Sequence, residues 1–321
     1  KILYLIIFIF TFVTGFRGED VGIDTVNYID FWDEVLSGNI LFIELGFQWL
    51  IEVLQKVTTN YVILFFTCSF IIYFFIIIRL WELKRIASFS ILIATLYMLV
   101  LMPSMNTMRQ YCAISILFYS TRYLFNKKYL RYFGGIIVAT LLHTSSLLGI
   151  VFGGFDLLNW RQYSLPKKIF FVLLLLLLPF FFFKAYELAY TEYGNYFESG
   201  EANIGLLTLL KILFISSSYY FSKIWLKVSS YDSKYIVKVA FSSYLIGTCL
   251  ESLGYFFPYM DRIGLVFSIW GILYWGILFK FTNNISLKYL YFMFLLVLIG
   301  LPFLLSIINN GYGTVPYSLC W

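Results

Sequence analysis

The amino-acid sequence predicts an all-α membrane protein that crosses the bilayer many times. Three observations predict it. Hydrophobic residues make up 61% of the chain and the mean hydropathy is +0.85. Charged residues make up 12%, about half of what a soluble domain carries. The apolar residues are gathered into runs near the ~20 residues that a helix needs to span hydrocarbon. The basic residues lie in short turns between these runs, so the net charge of +6 sets topology and implies no nucleic-acid partner.

In chain order, the runs are 2–16, 61–80, 86–102, 108–125, 132–158, 169–185, 204–221, 235–257, 263–281 and 288–308. The opening on Lys1 rather than Met reads as a trimmed start. Run 2–16 has no small-residue cleavage site after it, so it is expected to stay as the first helix rather than leave as a signal peptide. The turns 79–85, 126–131, 160–168, 222–234 and 280–288 are basic and expected to be cytoplasmic. The segments 17–60, 185–203 and 255–261 are acidic or neutral and expected outside.

Basic turns flank run 132–158 on both sides, so either the positive-inside rule fails at 160–168 or the run enters and returns to the same side, and the second reading is preferred. The run is long for one span and short for two, and Gly134, Gly135, Gly149, Gly153 and Gly154 offer bending points. It is expected to be a re-entrant hairpin, with His143, Thr144, Ser145 and Ser146 satisfying backbone groups freed at its centre. Helical rise from Tyr132 places His143 about 17 Å along, just past the midplane towards the outer face. The resulting architecture has about nine to ten transmembrane helices, one broken or re-entrant pair, the N-terminus inside and the C-terminus outside.

Loop 17–60 is acidic yet holds the stretches FWDEVL and ILFIELGFQWLIEVL. Phe42, Leu45, Phe47, Trp49 and Leu50 predict amphipathic helices lying at the interface, ordered against the bundle. Segment 187–201, ELAYTEYGNYFESGE, contains Tyr193. Its tyrosines suit sugar stacking, and equally an interfacial aromatic belt, which accounts for most of them. The four cysteines form no CxxC, and one histidine cannot build a His-based metal site, so no metal and no cofactor are expected. No phosphate-binding Gly-rich loop, serine-triad motif or HExxH is present.

Ionisable groups at membrane depth are costly and mark functional sites by default. Arg109 stands at the mouth of an apolar run, and His143 is the only histidine. The bland alternatives are a snorkelling arginine and an interhelical hydrogen bond. On the expected topology Arg17, Arg109 and Arg262 fall at outer helix ends, and Lys211 lies about 10 Å below the outer end of its run. Arginine donates two parallel hydrogen bonds and stays charged, which suits a diphosphate. Three converging arginines would hold a lipid diphosphate and stabilise it as a leaving group. Each could instead pair locally, Arg17 with Glu19 or Asp20 and Arg262 with Asp261. A general base for a sugar hydroxyl is also needed. His143 titrates near neutrality, and Asp24 and Glu44 are the carboxylate alternatives.

Residues 17–28, RGEDVGIDTVNY, resemble the N-terminal signature of EpsG-type exopolysaccharide polymerases, relatives of Wzy. The resemblance continues through Glu44-Leu-Gly-Phe47, through Met108-Arg109-Gln110 opening a helix, through Ala139 to His143-Thr-Ser-Ser146, and to Val315-Pro316-Tyr317. It implies a GT-C-like helical bundle in the bacterial cytoplasmic (inner) membrane with its active site facing outwards. It further implies transfer of a growing chain from undecaprenyl diphosphate to a hydroxyl on the next lipid-linked repeat unit, without metal or nucleotide sugar. The resemblance supports Arg17, Gly22, Asp24, Tyr28, Arg109 and His143 as site residues, whereas Arg262 and Lys211 rest on topology. Tyr28, Glu44, Gln110 and Tyr193 are the candidates for holding sugar or acceptor. The expected partners are the lipid-linked oligosaccharide, the bilayer, a flippase and a chain-length regulator. The alternatives are an O-antigen ligase or another lipid-dependent glycosyltransferase, an acyltransferase, and, from another class, a transporter or flippase. A transporter should carry inverted repeats with paired broken helices, whereas one broken helix is predicted.

Overall fold

Where a run is apolar all round it becomes a helix, because only a helix satisfies its own backbone away from water. The computed structural model describes residues 1–39, 43–152, 206–225, 231–254 and 260–320. Among these, every regular element is helical, and the one extended pairing is an isolated antiparallel bridge between Arg17 and Leu319. The helices are α1 (Ile2–Gly15), α2 (Thr25–Leu36), α3 (Leu45–Gln55), α4 (Val62–Leu83), α5 (Phe89–Asn106), α6 (Met108–Phe125) and α7 (Tyr129–Leu142). Then come α8 (Leu206–Trp225), α9 (Tyr231–Leu253), α10 (Met260–Ser268), α11 (Gly271–Phe281), α12 (Ile285–Leu295) and α13 (Leu301–Ile308).

Among the described residues, five helical segments are long and apolar enough to cross a membrane: Val62–Leu83, Phe89–Asn106, Tyr235–Leu253, Met260–Phe281 and Ile285–Ile308. Shorter apolar helices cover Ile2–Gly15, Tyr129–Leu142 and Leu207–Ser218. The protein is therefore an all-helical, multi-pass membrane protein. The run 108–125 is a helix but is not among the apolar spans, and its surroundings explain why. α6 packs between α4 and α7, and Gln110, Ser115, Ser120 and Thr121 are buried in protein. A helix walled by protein need not be apolar. The opposite case is Ile285–Ile308, of which only 17% is buried and which exposes Met293, Val297, Leu301 and Leu305.

Several expected boundaries move. The run 263–281 begins at Met260 and is divided at Ile269 and Trp270 into α10 and α11. The run 288–308 begins at Ile285 and contains a π-helical segment, Leu296–Gly300. Pro302 follows it, lacking an N–H and crowding the carbonyl four residues back, which accounts for the wider turn. In run 132–158 the helix stops at Leu142, His143 is extended (φ −160°, ψ 125°), and a 3-10 helix covers Thr144–Leu148. The chain then turns back along α7: the Tyr132 hydroxyl donates to the Gly149 carbonyl at 2.7 Å, and Gly149 packs on Ile136. Residues 153–205, and with them the run 169–185 and the segment 187–201, lie outside the described residues.

The loop after α1 folds as amphipathic helices. α2 buries Tyr28 and Trp32, and α3 buries Phe47 and Ile51, in each case four residues apart on one face. Val26, Leu45 and Trp49 remain exposed on the other side. The chain's last segment closes over this loop. Gly22 N–H donates to the Gly313 carbonyl (2.7 Å), Gly18 N–H to Ser318 (2.9 Å), and Cys320 N–H to Phe16 (3.0 Å). At the other end of the bundle Glu82 bridges Arg79 (3.0 Å), in the same basic turn 79–85, and Arg122 (2.8 Å), in the last turn of α6.

Candidate functional site

Three elements far apart in sequence meet at the loop end of the bundle. The first is the corner between α5 and α6. α5 ends at Asn106, Thr107 alone makes the turn, and α6 begins at Met108. Arg109 therefore sits in the first turn of α6, partly exposed at its rim. The second is the start of α3, where Glu44 occupies the N-cap in an extended conformation. The third is the end of α7, where His143 leaves the helix. Gly46 fits the second against the third: a Cβ there would lie 2.6 Å from the Leu141 carbonyl oxygen. Only glycine lets the two backbones come this close.

Glu44 is the hub. Its Oε2 accepts from Arg109 Nη1 at 2.8 Å, and its Oε1 lies 2.6 Å from His143 Nδ1. The same Oε1 accepts the Thr144 backbone N–H at 3.1 Å, at the start of the 3-10 helix. Its side chain is 14% exposed. Burial alone would push the carboxyl up. The His143 hydrogen bond and charge, the Arg109 guanidinium and a backbone N–H outweigh it and hold the carboxyl at about 2. An ionised carboxylate only accepts hydrogen bonds, so Nδ1 of His143 is the donor. With Nδ1–H on Glu44, Nε2 is the ring atom left to accept a proton whenever the ring is neutral, and it has no hydrogen-bond partner among the described residues. The Arg109 guanidinium also lies 5.4 Å from the Phe31 ring and 5.6 Å from the Phe47 ring.

Gln110 ties this group to α10. Its Nε2 donates to the Arg262 carbonyl at 2.5 Å and lies 3.4 Å from Ser145 Oγ. The Gln110 carbonyl oxygen and Ser146 Oγ are buried with no hydrogen-bond partner among the described residues. The Arg262 side chain is exposed in the first turn of α10, at the same end of the bundle.

Lys211 does not stand alone. Its Nζ lies 3.4 Å from Glu251 Oε2 and 5.2 Å from the Tyr244 ring centroid. Glu251 is thereby a candidate for the site that the sequence alone does not single out. The signal was present, since a carboxylate inside the apolar run 235–257 carries the same cost that singled out Lys211. α9 reaches α10 through Gly264, where a Cβ would lie 2.9 Å from the Glu251 backbone nitrogen.

Arg17 is placed differently from its expected neighbours. It is 0% exposed and its guanidinium faces inwards. Nη1 donates to the Thr14 carbonyl (2.8 Å), Nη2 to Met105 (3.0 Å), and Nε to Thr25 Oγ1 (3.3 Å). The guanidinium carbon also lies 4.3 Å from the Phe65 ring centroid. Burial lowers its pKa to about 10. It clamps the ends of α1 and α5 to the start of α2 and presents no donor to a cavity. Neither Glu19 nor Asp20 is its partner: Glu19 accepts from the Tyr61 hydroxyl, and Asp20 bonds Ser318. Tyr28 is likewise turned inwards, its hydroxyl donating to the Asn106 carbonyl at 2.8 Å. Gly22, at φ +101°, opens the tight turn before α2. Asp24 is half-buried at the N-cap of α2, and its carboxylate makes no hydrogen bond among the described residues. Tyr193 lies outside the described residues.

The geometry thus joins Glu44, Arg109, Gln110, His143 and the backbone of Arg262, with the Lys211–Glu251 pair on the neighbouring helices. No curated protein and no solved structure matches the chain. A family profile described as the EpsG family matches residues 1–319, which takes in every one of these residues. With nearly its whole length matched and its helices those of a multi-pass membrane protein, the chain belongs to the EpsG family, of exopolysaccharide-polymerase type.

Proposed function

We propose that the protein is a polymerase that lengthens a polysaccharide at the outer face of the bacterial cytoplasmic membrane, taking its repeat units from undecaprenyl diphosphate. The observation that carries this reading is the contact of Glu44, Arg109 and His143, three residues from separate parts of the chain, at one end of the bundle. An anion-binding cation and a histidine with one free ring nitrogen are what glycosyl transfer from a diphosphate requires. Arg109, Arg262 and Lys211 hold the diphosphate of the donor and take up charge as it leaves. Nε2 of His143 accepts the proton of the acceptor hydroxyl. That oxygen bonds to the donor's anomeric carbon, and the carbon–oxygen bond to the diphosphate breaks, its electron pair leaving with the phosphate. Asp24 is the alternative base, while Glu44 and Gln110, both engaged within the protein, position the groups around the sugars. Arg17 and Tyr28 hold the site's walls together rather than touch substrate. Cationic side chains supply the charge stabilisation, so the reaction as written needs no metal.

The same reading orients the chain with its N-terminus inside, its C-terminus outside and about nine to ten crossings. A flippase would deliver the lipid-linked units, and a length regulator would end the chain.

The test is product size. Purified protein given one lipid-linked repeat unit should make a ladder of longer products. His143→Ala should abolish it, and Arg109→Ala should cut the rate by roughly 10²-fold, the scale of losing one oxyanion-type donor. A ladder that survives both substitutions removes the proposed machinery. A single transfer with no ladder points to a ligase instead.

A further inference from the structure

Arg109 and His143 do not touch each other; one carboxylate stands between them. Glu44 gives Oε2 to Arg109 at 2.8 Å and Oε1 to His143 at 2.6 Å. The carboxylate is divided between a cation and a ring whose basicity depends on it. Arg109 has reason to move. It lies in the first turn of α6, its side chain 24% exposed, with aromatic faces on one side and the rim on the other. Glu44 does not, because Oε1 is also fixed by the Thr144 N–H and Gly46 seats α3 on α7.

We propose that Glu44 is a positioning residue that couples the two substrates: a diphosphate that takes Arg109 away leaves Glu44 to His143 alone, and His143 becomes a strong base only when the donor is seated. The inference rests on the function proposed above and adds an order to it. A diphosphate offers more charge and more acceptor oxygens than one carboxylate, so it competes well for the guanidinium. Once Arg109 turns to it, the negative charge on Glu44 is no longer shared. It then favours the protonated imidazolium more strongly, and Nε2 gains proton affinity. An acceptor arriving beside a bound donor then meets a stronger base than one arriving at an empty site. The proton moves from the acceptor oxygen to Nε2, while Nδ1–H stays on Glu44.

The charged and titratable groups on the elements packed around this ring are Glu44 on α3, which bonds it, Arg109 on α6, Tyr28 on α2 beside Arg109, and Asp261 and Arg262 on α10, which packs on the 3-10 turn. Of these, Glu44 alone bonds the ring, so Glu44 is where the coupling is tested.

His143 is the only histidine, so isotope-labelled histidine gives one resonance to follow. The protein, purified with a histidine-free tag and placed in nanodiscs, would be titrated with pH in the absence and presence of farnesyl diphosphate. Phosphorus NMR would report binding of the probe. The expected result is an upward shift of His143 by roughly one pH unit on binding. Glu44→Gln should still bind the probe and show no such shift. Arg109→Gln, in which Glu44 is already released, should titrate high without probe and respond little to it. An equal shift in wild type and Glu44→Gln would mean that the diphosphate charge acts on the ring directly, and the relay would be wrong. Binding with an unshifted histidine would overturn the relay alone. No binding of the diphosphate would overturn both the relay and the donor site on which it rests.

Discussion

At the scale of single residues, the site is governed by how charge is paired. Glu44 is held at about 2 against an ordinary value of 4.5, so its ionised form is worth more in the folded protein than in the unfolded chain. That contribution is fully present above pH 4.5 and is lost as the pH falls towards 2. Thermal unfolding in nanodiscs should therefore show a drop in Tm across pH 4.5 to 2 in the wild type, and a smaller drop in Glu44→Gln. An equal drop in both would assign the acid sensitivity to other carboxylates. Arg17 illustrates the opposite use of the same side chain. Sequence reasoning counted it with Arg109 because both sit at outer helix ends. A sequence position does not say which way a guanidinium points. Arg17 has carbonyl oxygens of Thr14 and Met105 within reach inside the bundle, while among the described residues the Arg109 guanidinium donates to Glu44.

Among elements, the decisive contact is α3 on α7. A Cβ at Gly46 would fall 2.6 Å from a backbone oxygen, which no side-chain rotation relieves. Gly46→Ala should push α3 outwards and part Glu44 from His143. The rate of chain lengthening should fall by roughly 10²-fold, the scale of a misplaced catalytic group. The membrane-inserted yield should hold, because the spanning helices are untouched. If polymer length and rate match the wild type, the close approach has no part in the site. Most helices were legible from apolar runs, and the break at His143 was legible from its polar run of His-Thr-Ser-Ser. The pairing of Glu44 with His143 was not, because it depends on how a loop helix docks, and periodicity records only which face is apolar. Glu251 was hidden for a related reason: its partner Lys211 lies on a different helix, and a lone carboxylate in an apolar run gives a cost but no partner.

Across the whole molecule, the two ends of the chain hold each other. The segment from Tyr312 to Cys320 bonds to Phe16, Gly18, Gly22 and Ile23, and the Tyr312 carbonyl accepts from the Asn106 side chain at 3.0 Å. Removing residues 312–320 should leave the spans inserted but loosen the loop that carries Glu44. Limited proteolysis should then cut within 17–60, where the intact protein resists, and resistance in the truncated form would show that the loop is held by the bundle alone. This clasp also sets a clock on synthesis. The loop emerges from the ribosome before its fastener, roughly 15–60 s earlier at ordinary elongation rates. Until then the nascent chain carries the loop with Glu44 but not the hydrogen bonds that fasten it.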